Sequence, residues 1–275
     1  MWKSFFANVR KVINRRYILI DFLGTFPLFA AQSAGSYRAK SKLAMNAINN
    51  IFPLLLDLTE STSAAKRIDV CSTQVLLTRN VTIKKNSEIL KNLCNKYGTE
   101  KPAPLYALYA HILSEHDRVT NIFEVGIGTH HTDVVSTMGA KGMPGASLRA
   151  FRDFCPNATV YGGDIDSRVL FDEERIHTFH IDQTDFSVFE SVITSLGLEF
   201  DLFIDDGLHA PDANLATLIV ALKVTKPGGW IVIEDIGESA LEFWQLVSNL
   251  MPSNLDIRIF RSTERGLIFC VNKII

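Results

Sequence analysis

The sequence predicts an α/β protein: a doubly wound, mostly parallel seven-stranded sheet, preceded by an N-terminal helical extension. From about residue 118 onward, short β-branched and aromatic runs alternate with helical patterns. This order favours parallel strands covered by helices on both faces. The last two strands are joined only through 261–266, without a helix between them. That connection predicts a terminal antiparallel hairpin.

The elements follow in chain order from these patterns. Strands are expected near Asn121–Val125, Thr159–Gly163, Ile176–Ile181, Phe200–Asp205, Trp230–Glu234, Asp256–Phe260 and Leu267–Val271. Helices are expected near Glu88–Tyr97, Pro104–Ser114, Ser147–Phe154, Asp185–Leu196, Asp212–Val224 and Ser239–Leu250.

Composition narrows the class of protein. The chain has 275 residues, of which 47% are hydrophobic and 21% charged, so it has enough apolar material for a core and is not disordered. The net charge of -2 argues against a nucleic-acid-coating protein and favours small-molecule chemistry. Four scattered cysteines form no CxxC motif, which predicts reduced thiols in the cytoplasm rather than disulfides or a zinc site.

The N-terminal part differs from the rest. Residues 1–70 contain ten Lys or Arg and four Asp or Glu, whereas the remainder contains 18 and 26. We expect 1–70 to form a helical extension and 71–275 a catalytic domain, with a polar linker over 59–70. Within the extension, 1–16 is basic and amphipathic and 17–31 is apolar. Three interpretations remain for 1–31: a secretory signal, helices packed on the core or on a second subunit of a homo-oligomer, and peripheral contact with an anionic membrane.

Residues that directly follow the strands are the candidates for function, because ligands of open α/β sheets bind at the carboxyl ends of strands. After the first strand, Gly126 and Gly128 allow a ligand close to the backbone; a tight turn alone is the other interpretation. The third glycine of a nicotinamide-binding motif is replaced by His131, which disfavours a dehydrogenase.

The next two strand ends supply polar side chains suited to a nucleoside. Asp164 is placed to bind a ribose diol, and Asp166 is expected to be a helix N-cap. Asp182 and Gln183 offer an acceptor and an amide for an adenine edge, although a solvated turn explains them equally well.

Four carboxylates and one imidazole follow the fourth and fifth strands. Crowded acids favour a bound cation, and oxygen ligands suit Mg²⁺, so Asp206, Glu234 and Asp235 are the predicted metal ligands. Asp205 is expected to bind the neighbouring backbone or a cofactor. His209 lies one turn beyond Asp206 and is the predicted general base, with a metal-ligand or structural role as alternatives.

Together with these residues, several motifs resemble the metal-dependent O-methyltransferases that act on macrolide sugars. They are Lys96-Tyr-Gly-Thr-Glu-Lys101, Gly145-Ala-Ser-Leu-Arg149, Tyr161-Gly-Gly-Asp-Ile-Asp166, Asp205-Asp-Gly-Leu-His209 and Pro227-Gly-Gly-Trp-Ile-Val-Ile-Glu-Asp235. The resemblance covers about residues 88–240. It implies a Rossmann-like class I methyltransferase fold and methyl transfer from S-adenosylmethionine to a hydroxyl, with Mg²⁺ and His209 as base. It also places Glu124, Gly126, Asp164 and Asp182 at the cofactor and Asp206, Glu234 and Asp235 at the metal. Gly128, Ser147, Gln183 and Asp205 complete the set of predicted cofactor-binding residues.

The sequence departs from the family pattern in two places, and two functions other than O-methyl transfer remain as alternatives. Glu100 replaces the Asp of the family motif, and residues 1–87 match nothing recognisable, so a sugar acceptor is only one option among hydroxylated small molecules. A non-catalytic module would bind S-adenosylmethionine without needing a metal. A metal-dependent hydrolase or hydroxylase would not use that cofactor. A nucleic-acid amino-methyltransferase is disfavoured, because Asp205-Asp-Gly-Leu208 lacks the Pro-Pro-aromatic segment that grips a flipped base.

Overall fold

The computed structural model describes residues 51–61, 67–79, 81–99, 101–262 and 266–274. The chain divides into two compact units, Met1–Lys66 and Arg67–Ile275. In the first unit, the described residues form helix α1 (51–61). Segment 1–31, with its predicted subunit or membrane contact, lies outside the described residues. Within the described part of the chain, no helix is both long and apolar enough to cross a bilayer.

The second unit contains one mixed sheet. Its strands are β1 (Val70–Ser72), β2 (Asn121–Val125), β3 (Thr159–Asp164), β4 (Asp172–Glu173), β5 (Ile176–His180), β6 (Phe200–Asp205), β7 (Thr225–Ile236), β8 (Leu255–Ser262) and β9 (Gly266–Lys273). Their order across the sheet is β1-β8-β9-β7-β6-β2-β3-β5-β4. Strand β9 is antiparallel to both β7 and β8, whereas β5, β3, β2, β6 and β7 run parallel.

Helices cover both faces of this sheet. They are α2 (Gln74–Arg79), α3 (Val81–Tyr97), α4 (Ala103–Ile112), α5 (Ala146–Phe154), α6 (Phe186–Ser195), α7 (Pro211–Val224) and α8 (Leu241–Leu250). Buried residues of α3, α4 and α5 form one apolar cluster, and those of α6, α7 and α8 form another. Alternate residues of the central strands supply each cluster: Ile122 and Leu202 lie in the first, Phe123 and Phe203 in the second. Both faces are therefore buried, as a doubly wound sheet requires.

Strand register brings the functional ends together. Val125, the last residue of β2, lies opposite Gly163 of β3 and Asp205 of β6, and Asp205 lies opposite Ile233 of β7. The segments that follow β2, β3, β6 and β7 therefore emerge at one edge.

The predicted fold class, the seven strands and the closing hairpin are confirmed. Two short strands were not predicted. Strand β4 has two residues, and β1 begins at Val70, inside the expected linker, and pairs in parallel with β8. Both are edge strands too short to show a sequence periodicity. Strand β7 begins at Thr225, before the predicted start at Trp230. The prediction missed this part of the strand because Gly228 and Gly229 lower the local β-propensity.

Candidate active site

Two adjoining cavities open at the carboxyl edge of the sheet. The first, here called the acidic cavity, has a volume of about 270 Å³ and is lined by Thr99, Lys101, Pro102, Gly126, Ile127, Gly128, Ser136, Thr137, Met138, Met143, Ala146, Ser147, Asp206, His209, Glu234 and Asp235. The second, here called the glycine-loop cavity, measures about 310 Å³, and its polar lining includes Thr129, Asp164, Asp182, Gln183 and Thr184. Gly126, Gly128, Ser136 and Asp206 line both.

The turn after β2 depends on glycine. Gly126 and Gly128 have φ angles of +85° and +83°. A Cβ at Gly126 would overlap the carbonyl oxygen of Asp206, and one at Gly128 would overlap the Met138 side chain. The turn is fixed to its neighbours, since Gly126 N donates to Gly163 O at 2.7 Å and Asp206 N donates to Val125 O at 2.9 Å. Glycine here lets three strand ends approach closely.

Asp164 lies at the end of β3 and lines the glycine-loop cavity. Its Oδ2 accepts from Gly128 N at 3.1 Å, and its Oδ1 accepts from Asp166 N at 2.9 Å. Burial raises the pKa of Asp164, although these backbone hydrogen bonds oppose that shift. Asp166 is the N-cap of the short helix Ser167–Val169, as predicted, and also accepts from Thr129 Oγ1 at 2.7 Å.

The structure gives Gln183 and Asp205 internal partners. Gln183 Nε2 donates to Asp205 Oδ1 at 3.0 Å and to Thr217 Oγ1 at 2.8 Å, and its Oε1 accepts from Leu208 N at 2.9 Å. Asp205 Oδ2 accepts from Asn214 Nδ2 at 3.0 Å. Burial raises the pKa of Asp205. This buried network supports the turn that bears the acidic residues.

Asp182 shows features of both predicted roles. It lines the glycine-loop cavity, while its Oδ1 accepts from the backbone and the hydroxyl of Thr184 at 2.8 and 2.6 Å. These hydrogen bonds lower its pKa. The turn interpretation and the adenine-binding prediction are thus compatible at this position.

A compact group at the carboxyl ends of β6 and β7 is formed by Asp206, His209 and Asp235. One potential ligand atom from each lies within 4.8 Å of the others. His209 Nε2 is 3.9 Å from Asp235 Oδ2, and His209 Nδ1 is buried without a hydrogen-bond partner among the described residues. Both His209 and Asp235 have left-handed backbones, with φ of 57° and 55°. Such strain in non-glycine residues is concentrated at functional sites.

A second group, Glu124, Asp206 and Glu234, surrounds the ammonium of Lys101. Lys101 Nζ lies 3.0 Å from Glu124 Oε1, 2.8 Å from Asp206 Oδ2 and 2.7 Å from Glu234 Oε1. Burial alone would lower the pKa of Lys101, but the three carboxylates outweigh it and raise that pKa. Burial and the nearby Asp206 raise the pKa of Glu234, although Lys101 opposes this. The cluster is therefore an internal ion-pair network.

The predicted metal ligands are thus divided between two groups. Asp206 belongs to both, Asp235 to the first and Glu234 to the second. Glu234 is 1% exposed and also accepts a hydrogen bond from the Tyr109 hydroxyl. Glu124 is fully buried behind the cavity and accepts from Ser147 Oγ at 2.5 Å. All three ligand assignments stay predictions.

Lys101 and Tyr109 are the site residues that sequence reasoning missed. The motif ending at Lys101 was recognised, but without a role for the lysine. The signal that could have identified Lys101 was the predicted cluster of carboxylates, because such a cluster requires a cation. A buried lysine can be that cation, since lysine is almost never buried without anionic partners. Tyr109 lies within an apolar helix, so nothing in its local pattern distinguishes it from core.

The loop between β2 and α5 forms the outer wall of both cavities. Met138 N donates to Thr129 O at 2.9 Å, and Thr137 Oγ1 donates to the same oxygen at 3.0 Å. Arg168 ties the loop down by pairing with Asp133 at 3.1 Å and with Asp166 at 2.6 Å. Two methionines in this wall, Met138 and Met143, present flexible apolar surface to the acidic cavity.

Comparison with known proteins identifies relatives with named activities. No family model matches the chain. Mycinamicin VI 2''-O-methyltransferase of Micromonospora griseorubida is 31% identical over 153 residues, which are 54% of this chain and 36% of that protein. The 8-demethyl-8-alpha-L-rhamnosyl tetracenomycin-C 2'-O-methyltransferase of Streptomyces olivaceus is 27% identical over 150 residues, or 54% of this chain and 37% of that protein. This chain thus matches little more than a third of either relative's length.

The solved structures agree with the fold. MycE methyltransferase from the mycinamycin biosynthetic pathway, in complex with Mg, SAH and mycinamycin VI, superposes with a TM-score of 0.53 at 24% identity, over 67% of this chain and 53% of that one. A second crystal form with Mg and SAH gives a TM-score of 0.52 at 25% identity over the same shares. The chain therefore has the class I methyltransferase fold and resembles O-methyltransferases of natural-product biosynthesis.

Proposed function

We propose that the protein is a metal-dependent O-methyltransferase that moves the methyl group of S-adenosylmethionine to a hydroxyl of a small molecule, such as a sugar of a natural product. The observation that supports it most is the Asp206, His209 and Asp235 group, which opens into a cavity adjoining the glycine-loop cavity. The relatives are named as O-methyltransferases, which does not favour a hydrolase, a hydroxylase or a non-catalytic module.

The glycine-loop cavity has the features that S-adenosylmethionine needs. The Asp164 carboxylate is positioned at a strand end, where an acid accepts hydrogen bonds from a ribose diol. Gly126 and Gly128 line both cavities, and neither position has room for a Cβ. Ile165, Ile181 and Val135 add apolar surface for an adenine ring.

The acidic cavity fits a hard divalent ion. Its first group offers carboxylate oxygens from Asp206 and Asp235 with the His209 imidazole beside them, a donor set suited to Mg²⁺. Asp206 and Asp235 would hold the ion, with Glu234 behind them. A bound Mg²⁺ would orient the acceptor hydroxyl and lower the cost of removing its proton.

The chain's own residues then account for the transfer. The acceptor oxygen attacks the methyl carbon, the S–C bond breaks with its electron pair remaining on sulfur, and the hydroxyl proton passes to His209 at Nε2, the nitrogen nearest Asp235. Alignment contributes most of the acceleration, because a sulfonium methyl is already electrophilic. Met138 and Met143 line the acidic cavity and would present apolar surface to the acceptor.

Location and partners are part of the proposal. All four cysteines are free thiols, as expected of a cytoplasmic enzyme. Small hydroxylated molecules remain the expected partners, and self-association or membrane contact through 1–31 remains a prediction about residues outside the described ones.

Calorimetry with S-adenosylmethionine, followed by turnover of a panel of glycosylated and phenolic acceptors, tests the function. Turnover is expected to disappear in chelator and to return with Mg²⁺. Asp235→Asn should abolish turnover, whereas the matched control Asp172→Asn, on the exposed edge strand β4, should not change it. Absence of cofactor binding would disprove the proposal, and full turnover in chelator would remove the metal from it.

A further inference from the structure

Lys101 is a buried cation inside the acidic cluster rather than a surface lysine. Its side chain is 6% exposed, and its Nζ lies within 3.0 Å of oxygens of Glu124, Asp206 and Glu234. An ammonium withdrawn from water is stable only with such partners, and the carboxylates in turn need a positive charge.

The backbone holds this lysine at a fixed place. Helix α3 ends at Tyr97, and the next residue, Gly98, turns the chain back with a φ of +74° while its N donates to Cys94 O at 2.9 Å. Lys101 N then donates to Thr99 Oγ1 at 3.0 Å, and the Tyr106 hydroxyl donates to Lys101 O at 2.7 Å. Helix α4 begins directly afterwards. Lys101 therefore lies in the short connection between α3 and α4, and this connection places its ammonium at the carboxyl edge of the sheet.

Asp206 connects this ammonium with the proposed ion site. Its Oδ2 contacts Lys101 Nζ, and the same residue belongs to the group with His209 and Asp235. A divalent ion held by Asp206 would lie close to the ammonium, and two cations at that distance repel each other strongly where little water intervenes. One ammonium faces three carboxyl groups, and Asp235 adds a fourth beside Asp206, so the cluster can attract a further cation.

We propose that the Lys101 ammonium pairs with Asp206 until a divalent ion binds there and then yields Asp206 to the ion. Glu124 and Glu234 retain the ammonium once it has left Asp206. This inference rests on the proposed function, because it takes the ion to bind at Asp206. It adds that ion binding is coupled to a displacement of Lys101, and that the ammonium is a competitor of the ion.

Titration calorimetry with MgCl₂ on the full chain, without S-adenosylmethionine, tests the competition. Lys101→Met, which keeps an unbranched stem but removes the charge, is expected to bind Mg²⁺ at least about tenfold more tightly than the wild type. Lys101→Arg keeps the charge, so the folded variant should not gain the tighter binding expected of Lys101→Met. The matched control is Lys96→Met, from the same motif but on the exposed side, and it should not alter the affinity. Unchanged or weaker binding by folded Lys101→Met would overturn the proposal.

A second measurement uses the wild-type protein and does not depend on whether Lys101→Met folds. In protein labelled with ¹⁵N-lysine, a buried ammonium held by carboxylates exchanges its protons slowly and gives a separate signal, assigned by its absence from Lys101→Arg. Saturating Mg²⁺ should shift or remove that signal. If the signal stays in place while calorimetry shows Mg²⁺ binding, the displacement of Lys101 is refuted but the metal site is not. If the wild type does not bind Mg²⁺, the metal dependence of the proposed function is refuted.

Discussion

His209 and Asp235 come from different strand ends, yet Nε2 of the first lies 3.9 Å from Oδ2 of the second, and both have left-handed backbones. Each such conformation costs about 1 kcal/mol or more in a non-glycine residue. Two strained residues meeting in one cavity indicate that the fold maintains this geometry at the expense of stability.

Replacing His209 with Asn should abolish methyl transfer while leaving cofactor binding nearly unchanged. Asn tolerates the left-handed backbone better than most residues, so this variant removes the base without adding strain. Loss of a general base lowers turnover by about 10²- to 10⁴-fold. Turnover and S-adenosylmethionine affinity, measured on the same preparation, give the comparison.

The matched control for this variant is His177→Asn, because His177 is an exposed imidazole on β5 paired with Asp172. It should have wild-type turnover. If His209→Asn retains wild-type turnover, His209 is not the base.

Gly126→Ala should both destabilise the protein and impair cofactor binding. The new Cβ would meet the backbone of Asp206 and Gly207, which has no flexible end to move aside. Gly197→Ala is the matched control, since Gly197 also has a positive φ but no atom within 4 Å of an added Cβ. It should lose only about 1 kcal/mol of unfolding free energy. Urea denaturation and calorimetry separate the two effects, and equal losses in both variants would contradict the predicted clash.

The Asp153 carboxylate should stabilise the folded protein at any pH above the pKa that Asp153 has in the unfolded state. At acidic pH this stabilisation should be lost. Burial raises the pKa of Asp153, but hydrogen bonds from Tyr97, Lys96 and Arg152 outweigh it and lower that pKa from 3.8 to about 2. Because the folded state binds the proton less readily than the unfolded state, the contribution is lost as pH falls from about 4 to about 2.

Urea unfolding of the wild type and Asp153→Asn at several pH values measures this contribution. The stability difference between the two proteins should shrink as the pH drops through that window. A difference that stays constant would show that the ion pairs do not depend on the Asp153 charge.

The four thiols should differ sharply in reactivity. Cys71 is exposed, whereas Cys94, Cys155 and Cys270 are buried. Burial raises the pKa of Cys94 to about 11 and that of Cys155 to about 12, so few thiolates form there. Brief alkylation of the native protein followed by peptide mass spectrometry should find Cys71 modified and the others intact, and denaturant should expose all four. Rapid native labelling of Cys270 would contradict the position of β9 inside the sheet.

Strand positions were predictable because both faces of the sheet are buried. Residues such as Ile122 and Phe123 are both apolar and both inaccessible, so the central strands appear as continuous apolar runs bounded by acids and glycines. β1 lacks that signal because an edge strand of three half-exposed or exposed residues buries almost nothing. Its place depends on pairing with β8, which is about 190 residues away in sequence and leaves no local pattern.

In the candidate site, the position of each acidic residue after its strand predicted which residues lie close together. It did not predict that they would form two separate groups. Strand-end position suffices to bring Asp206, Glu234 and Asp235 to one edge. Their division into two groups depends on Lys101, which arrives from a helix end more than 100 residues earlier. The sequence pattern indicated that a cation is needed, and the structure places a lysine ammonium there. Likewise, the internal partners of Gln183 come from β6, from the turn after it and from α7, and could not be anticipated from the β5 strand end.

The four residues that border both cavities form a wall that the two cavities share. If a ligand in one cavity moves this wall, the two sites are thermodynamically linked, and each ligand then alters the affinity of the other by the same factor. Under the proposed reaction, departure of the spent sulfur compound and entry of the next acceptor would be mutually dependent events, governed by Gly126, Gly128, Ser136 and Asp206.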